Sequence, residues 1–199
     1  MVDSLPKMVA PLILASGSKY RLQLMARLRI SFLAISADVD ETSQPGEKPG
    51  VLAGRLAESK ARALVPRFAD HWILGCDQVA VADGHIFGKP GNVERATEQL
   101  RALSGRTAQF ITAMVLLKNQ DRILRAADIT TVRFRALKDE EIQRYVAAEP
   151  AFDCAGSFKN EGLGITLFEE IQSRDPTALT GLPLIGLSRL LREAGYALP

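Results

Sequence analysis

The sequence predicts an α/β fold: a mixed, twisted sheet flanked by helices. Three observations carry that expectation. Strand-like and helix-like apolar patterns alternate along most of the chain, as they do when helices cover a sheet. Some strand patterns follow one another across a short turn, so part of the sheet must be antiparallel. Of the 199 residues, 47% are hydrophobic, enough for a substantial core and too many for a disordered chain.

Residues 12–15 form a short apolar run, a first buried strand, which Ser16-Gly17-Ser18 breaks. Leu24 and Leu28 recur at helical spacing, so a helix is expected over 19–28, just after the glycine. A second strand is expected over 32–35. Residues 38–50 are polar, with Pro45, Gly46 and Pro49, and read as a loop where two lobes could part. Leu52, Leu56 and Leu64, with several alanines, place a helix over 51–65 that Pro66 closes. An apolar strand over 72–76 runs into Asp77. Residues 79–82 and 85–87 flank Asp83-Gly84, a dipeptide suited to a positive-φ hairpin turn. The next helix, over 93–103, has Asn92 as N-cap and Gly105 beyond its end. Strands over 110–117 and 123–134 are joined by the polar turn 118–122. A helix over 139–148, a strand over 164–171 and a last helix over 183–194 complete the chain, with Pro183 in a first helical turn. There is no internal repeat, and residues 1–199 read as a single domain.

Composition narrows the function. The formal net charge is +2 and the basic residues are dispersed, so no nucleic-acid groove is indicated. No apolar run approaches the roughly 20 residues that cross a bilayer. Residues 8–15 make a weak signal-peptide core, but Asp3 offsets Lys7 and Pro11 interrupts the run. A cytoplasmic location is the expectation. Cys76 and Cys154 are isolated, with no CxxC pair, and are read as reduced thiols packing as small apolar groups. His71 and His85 are too few for a histidine-rich zinc site, and no GxSxG elbow places a serine for a triad. The run 84–89 is one residue short of a P-loop, and Pro90 stands where that motif needs Ser or Thr.

What remains is a set of small charged clusters near strand ends. Around Ser16, Ser18 and Arg21, a strand, a polar turn and a helix start follow in succession. Free backbone N–H groups, hydroxyls and a guanidinium there suit an anion, although a capped helix alone would look the same. Asp40-Glu41 and Asp77 offer hard oxygen donors of the kind Mg²⁺ accepts. Lys60 and Lys89 could neutralise phosphate. None of these is decisive alone.

Their joint order resembles the Maf family of nucleotide pyrophosphatases, within the broad fold of inosine triphosphate pyrophosphatases. The matching pieces are the stretch 14–21, Asp40-Glu41, Glu58-Ser59-Lys60-Ala61, Gly75-Cys76-Asp77, Gly88-Lys89-Pro90, Leu103-Ser104-Gly105-Arg106, Ala155-Gly156-Ser157-Phe158 and Thr180-Gly181-Leu182-Pro183-Leu184. Asp77-Gln78-Val79, the stretch 154–158, Glu161-Gly162, and the stretch 164–168 with Arg174-Asp175-Pro176 resemble the branch that hydrolyses 7-methyl-GTP. Lys19 and Leu22 depart from the family's usual Pro and second Arg, and Tyr20 stands where that branch tends to carry Trp.

The resemblance implies a cleft between two lobes and water attack on the α-phosphorus of a nucleoside triphosphate, releasing pyrophosphate. It implies Asp77 as proton acceptor or metal ligand, with Glu41 sharing a Mg²⁺ or Mn²⁺ ion. Ser16, Ser18, Arg21, Lys60 and Lys89 would hold the phosphates. Tyr20, Gln78 and Glu161 would select the base: an aromatic face for the cationic methylated ring, a carboxylate for the guanine N1–H and 2-amino group. A dTTP/UTP pyrophosphatase and a non-catalytic nucleotide-binding regulator of cell division are the alternatives. Nucleic acid and membrane are not expected partners, and a homodimer is compatible with the sequence.

Overall fold

The computed structural model describes residues 11–199, so the front of the 8–15 run lies outside the described residues. In chain order the elements are β1 (Leu12–Leu14), α1 (Lys19–Ala26), β2 (Phe32–Ala34), α2 (Pro49–Leu64), β3 (Trp72–Ala82), β4 (His85–Phe87), α3 (Val93–Leu103), β5 (Thr107–Lys118), β6 (Arg122–Phe134), α4 (Asp139–Ala148), β7 (Phe168–Gln172) and α5 (Leu184–Glu193). The strands form one seven-stranded sheet in the order β2-β1-β3-β5-β6-β7, with β4 paired to β3. β1 pairs in parallel with β2 and β3, and the other pairs are antiparallel, so the sheet is mixed as expected.

Side-chain alternation along β3 and β5 sorts the core. Ile73, Val79, Ala113, Val115 and Leu117 face α2, packing against Leu52, Leu56, Ala57, Ala61 and Leu64. The opposite face carries two clusters. Trp72, Leu74, Met114 and Leu116 pack against residues of α1 and α5. Further along, Ala80, Ala82, Phe110 and Phe134 pack against residues of α3 and α4.

Three differences from the sequence-based expectation bear on function. Residues 72–76 and 79–82 belong to one strand, because β5 pairs with β3 without interruption from Trp72 to Val81. Asp77 therefore sits in mid-strand and not at a strand end. Polar Asp77 and Gln78 read as a break in the sequence, yet both side chains find partners in the fold. Residues 164–171 are not one strand: a tight 3₁₀ turn over Leu163–Leu167 precedes β7. A Cβ on Gly164 would lie 2.4 Å from the Lys159 carbonyl, a closeness only glycine allows. Finally, α2 begins at Pro49, which serves as a first-turn proline and not as a loop residue.

The edge of β3 explains where the chemistry can sit. β1 covers that edge only at 72–74, and β4 takes it up again at 80–82. Residues 75–79 between them have no strand neighbour on that side, and the sheet opens there. Gly75, at the start of the gap, lets α2 press onto the strand: a Cβ would fall 1.9 Å from the Ala57 carbonyl oxygen. This contact carries Lys60, less than one turn after Ala57, to Asp77.

Candidate active site

The opening leads into a cleft of about 660 Å³. Ser16, Ser18, Tyr20, Arg21, Glu41, Lys60, Asp77, Gln78, Lys89 and Glu161, ten residues spread over the chain, all line it. At its floor, Lys60 Nζ donates to Asp77 Oδ1 at 2.6 Å and stands 2.6 Å from Glu41 Oε1. The Lys60 and Asp77 side chains are only 10% and 11% exposed, whereas Glu41 is 52% exposed, so two nearly dry charges meet a wetter one. Burial pushes the Glu41 carboxyl up, but the Lys60 hydrogen bond and the charges of Lys60, Lys89 and Arg21 outweigh it and hold Glu41 below its usual value. Glu41 is thus an anion at neutral pH.

Glu41 reaches Lys60 because its loop is folded over α2. Arg55 grips Glu47 through Nε and Nη2, at 2.7 and 2.8 Å, and donates to the Thr42 carbonyl at 3.0 Å. The Thr42 N–H donates to Asp40 Oδ1 at 2.9 Å. Residue 41 is therefore held between anchored neighbours.

Also lining the cleft, Ser18 caps α1 by accepting from the Arg21 N–H, and Ser16 Oγ accepts from the Ser18 N–H at 3.2 Å. Arg21 Nε and the Cys76 thiol both donate to the Gly181 carbonyl, at 2.9 and 3.2 Å. Burial pushes the Cys76 thiol up, so it stays protonated as a donor; it is more than an apolar filler. Cys154 corrects the same expectation differently: it is half-buried and lines the cleft, its thiol pushed up to about 11 chiefly by burial.

Elsewhere on the cleft wall, Tyr20 Oη donates to Asp153 Oδ1 at 3.3 Å, while Lys19 Nζ lies 5.0 Å from the centre of the Tyr20 ring. That ring already accepts a cation on its face. Gln78 Nε2 is taken up by Thr112 Oγ1 at 2.9 Å and the Ala178 and Leu179 carbonyls at 3.0 and 3.2 Å, which tethers segment 178–181 to the sheet. Glu161 is exposed on the cleft wall. The Gly88–Lys89–Pro90 rim is tied to the 154–158 segment through Gln99, which donates to the Gly88 carbonyl and accepts from buried Ser157 Oγ at 2.6 Å.

Sequence reasoning missed Arg55, Thr112, Gln99 and the Gly181 carbonyl. Thr112 left a trace as a polar residue inside the apolar run 110–117, and Gly181 as part of the 180–184 motif, whose carbonyl role the motif does not show. The others act through tertiary pairings that no local pattern announces.

Hard cations such as Mg²⁺ take one or two carboxylates, completed by waters and phosphate oxygens. Glu41 and Asp77 converge on one ammonium, so they stand close enough to share a cation, and as carboxylates they fit that donor set. Among the described residues no cluster of three or more His, Cys, Asp or Glu is arranged to hold a metal without substrate.

The model of the Maf-like protein family matches residues 11–194. The chain belongs to the Maf family. Among its Maf relatives is a protein of Xanthomonas axonopodis pv. citri named 7-methyl-GTP pyrophosphatase, 55% identical over 188 residues, covering 94% of this chain and 98% of that one. Proteins of the same name from Pseudomonas aeruginosa and Bordetella pertussis are 49% and 50% identical, over 94% and 96% of this chain and 98% and 96% of theirs. A solved structure, the Staphylococcus aureus Ham1 protein, aligns with a TM-score of 0.48 at 15% identity, over 64% of this chain and 73% of that one. No helix among the described residues is long and apolar enough to cross a membrane.

Proposed function

We propose that this chain hydrolyses 7-methyl-GTP to 7-methyl-GMP and pyrophosphate, with a divalent cation held by Glu41 and Asp77. The observation that carries the reading is the nearly dry Lys60–Asp77 pair, joined by the more exposed Glu41, in the same cleft as the Ser16–Arg21 turn. A triphosphate tail lying between them meets cations on both sides. The names of the Xanthomonas, Pseudomonas and Bordetella relatives support the substrate.

In this reading Asp77 accepts the proton of a water whose oxygen attacks the α-phosphorus. The bond from that phosphorus to the oxygen bridging it to the β-phosphorus breaks, and pyrophosphate leaves. Lys60 holds Asp77 in place through their 2.6 Å contact. Arg21, its Nε fixed on Gly181, presents its remaining guanidinium N–H groups to phosphate oxygens, with Ser16, Ser18 and Lys89 completing the cradle. These groups act by orientation and by offsetting charge as it moves to the leaving group. Mg²⁺ or Mn²⁺, when bound, would add Lewis-acid polarisation of the phosphate.

N7-methylation makes guanine cationic. Tyr20, Asp153 and Glu161 give the base end of the cleft an aromatic face and two carboxylates, and Glu161 could accept from the guanine N1–H and 2-amino group. Gln78 serves this end by holding segment 178–181. The test is pyrophosphate release from a panel of 7-methyl-GTP, GTP, dTTP and UTP, with and without Mg²⁺ or Mn²⁺. Preferred turnover of 7-methyl-GTP is expected. Preference for dTTP or UTP overturns the substrate, and no release from any of them overturns the enzyme.

A further inference from the structure

Glu161 makes no hydrogen bond or ion pair among the described residues. Its aim is set only by its backbone, the loop 159–164, and that loop is tied to the end of α4. The Lys159 N–H donates to Tyr145 Oη at 3.1 Å, and the Gly164 N–H donates to Glu149 Oε2, also at 3.1 Å. Tyr145 Oη in turn donates to Glu149 Oε2 at 3.4 Å, and Lys159 Nζ donates to the Pro150 carbonyl at 2.7 Å. Between the two backbone ties, a Cβ on Gly162 would fall 2.1 Å from Glu149 Oε1. The Glu149 carboxylate thus fills the space beneath the loop, and a side chain at 162 would dislodge it. Tyr145 is 4% exposed, and burial pushes its hydroxyl up, so it remains a neutral donor. Neither Tyr145 nor Glu149 lines the cleft.

We propose that Tyr145 and Glu149 are positioning residues for base selection, mooring loop 159–164 so that Glu161 meets the guanine edge. The inference rests on the reading of Glu161 as the base-selecting carboxylate. Phosphate handling lies on other elements, so loosening this loop should act on substrate choice and spare the chemical step.

The experiment compares Tyr145→Phe, Glu149→Ala, Glu149→Gln and Glu161→Gln in the full chain. It measures kcat and KM for 7-methyl-GTP and dTTP, and amide hydrogen exchange over residues 159–164. Tyr145→Phe and Glu149→Ala should lower the 7-methyl-GTP to dTTP ratio of kcat/KM about tenfold, the scale of one misplaced hydrogen bond to a charged group. The loss should lie in KM, with kcat within about twofold and exchange accelerated at Lys159 and Gly164. Glu149→Gln keeps a carbonyl acceptor and should restore most of the ratio. Glu149→Ala added to Glu161→Gln should lower the ratio no further. If Glu161→Gln leaves the ratio at its wild-type value, the reading of Glu161 fails and takes the proposal with it. If Glu161→Gln lowers the ratio while Tyr145→Phe and Glu149→Ala do not, only the mooring role is overturned. Tyr145→Phe removes a single oxygen and keeps the test valid should Glu149→Ala fold poorly.

Discussion

Replacing Gly75 by alanine tests how the fold makes the site. The added methyl would lie 1.9 Å from the Ala57 carbonyl oxygen and 2.9 Å from the Ala61 nitrogen, on the helix's own 57-to-61 hydrogen bond. Ordinary Cβ contacts begin at 3.4 Å, so α2 must retreat by about 1.5 Å or twist. The obstacle is backbone in a helix packed along β3, with no flexible side chain to swing aside. Overpacking of this kind costs about 3 kcal/mol, the upper end of the usual range. For a chain this long that is a fall in Tm of roughly 6–12 °C. The retreat also draws Lys60 from Asp77, and a displacement of about 1 Å at a reacting centre can cost on the order of a hundredfold in rate. The control is Gly54→Ala in the same helix. Nothing lies within 4 Å of its added methyl, so it should gain about 0.5–1 kcal/mol and keep full activity. Thermal melts and pyrophosphate release at 25 °C read both variants. A Gly75→Ala protein that melts and turns over like wild type would refute the link between this contact and the site.

Other consequences can be checked with the same assays. Asp77→Asn should fold, because Lys60 keeps Glu41, and should lose on the order of a thousandfold in kcat; near-wild-type pyrophosphate release would remove Asp77 from the chemistry. Glu161→Gln should cut the 7-methyl-GTP to dTTP ratio about tenfold with kcat largely kept, as read from steady-state kinetics. Glu47 is held at about 2 against an ordinary 4.5, first by the Arg55 hydrogen bonds. Its contribution is complete above pH 4.5 and lost as pH falls towards 2, so the Tm gap between wild type and Glu47→Gln should close across that window. Buried Asp175 accepts from the Ile185 N–H at 2.6 Å and from the Thr177 N–H at 3.0 Å, at the start of α5. Asp175→Ala should cost about 2 kcal/mol in urea unfolding; an unchanged midpoint would show that α5 does not need this cap.

Local order was legible in the sequence where it is local in origin. The apolar periods of α2, α3 and α5, the Asn92 cap, the Asp83-Gly84 turn and the alternation that makes a mixed sheet all depend on neighbours within a few residues. The break expected within β3 failed because the strand's continuity depends on distant groups. Residues 72–82 looked broken because a charged and an amide side chain interrupt the apolar run. Lys60 and Thr112, 17 and 34 residues away from Asp77 and Gln78, supply the partners that let the strand continue.

The types and order of the charged residues thus came from the chain alone, since a carboxylate, a lysine or a serine turn keeps its chemistry wherever it is placed. Tertiary structure decided their relations: that β1 and β4 leave the 75–79 edge of β3 bare, that Gly75 admits α2, and that Lys60 stands between Glu41 and Asp77. Such relations join residues far apart in sequence through packing and desolvation. Only a closed fold, with water excluded and backbones in contact, brings them into being.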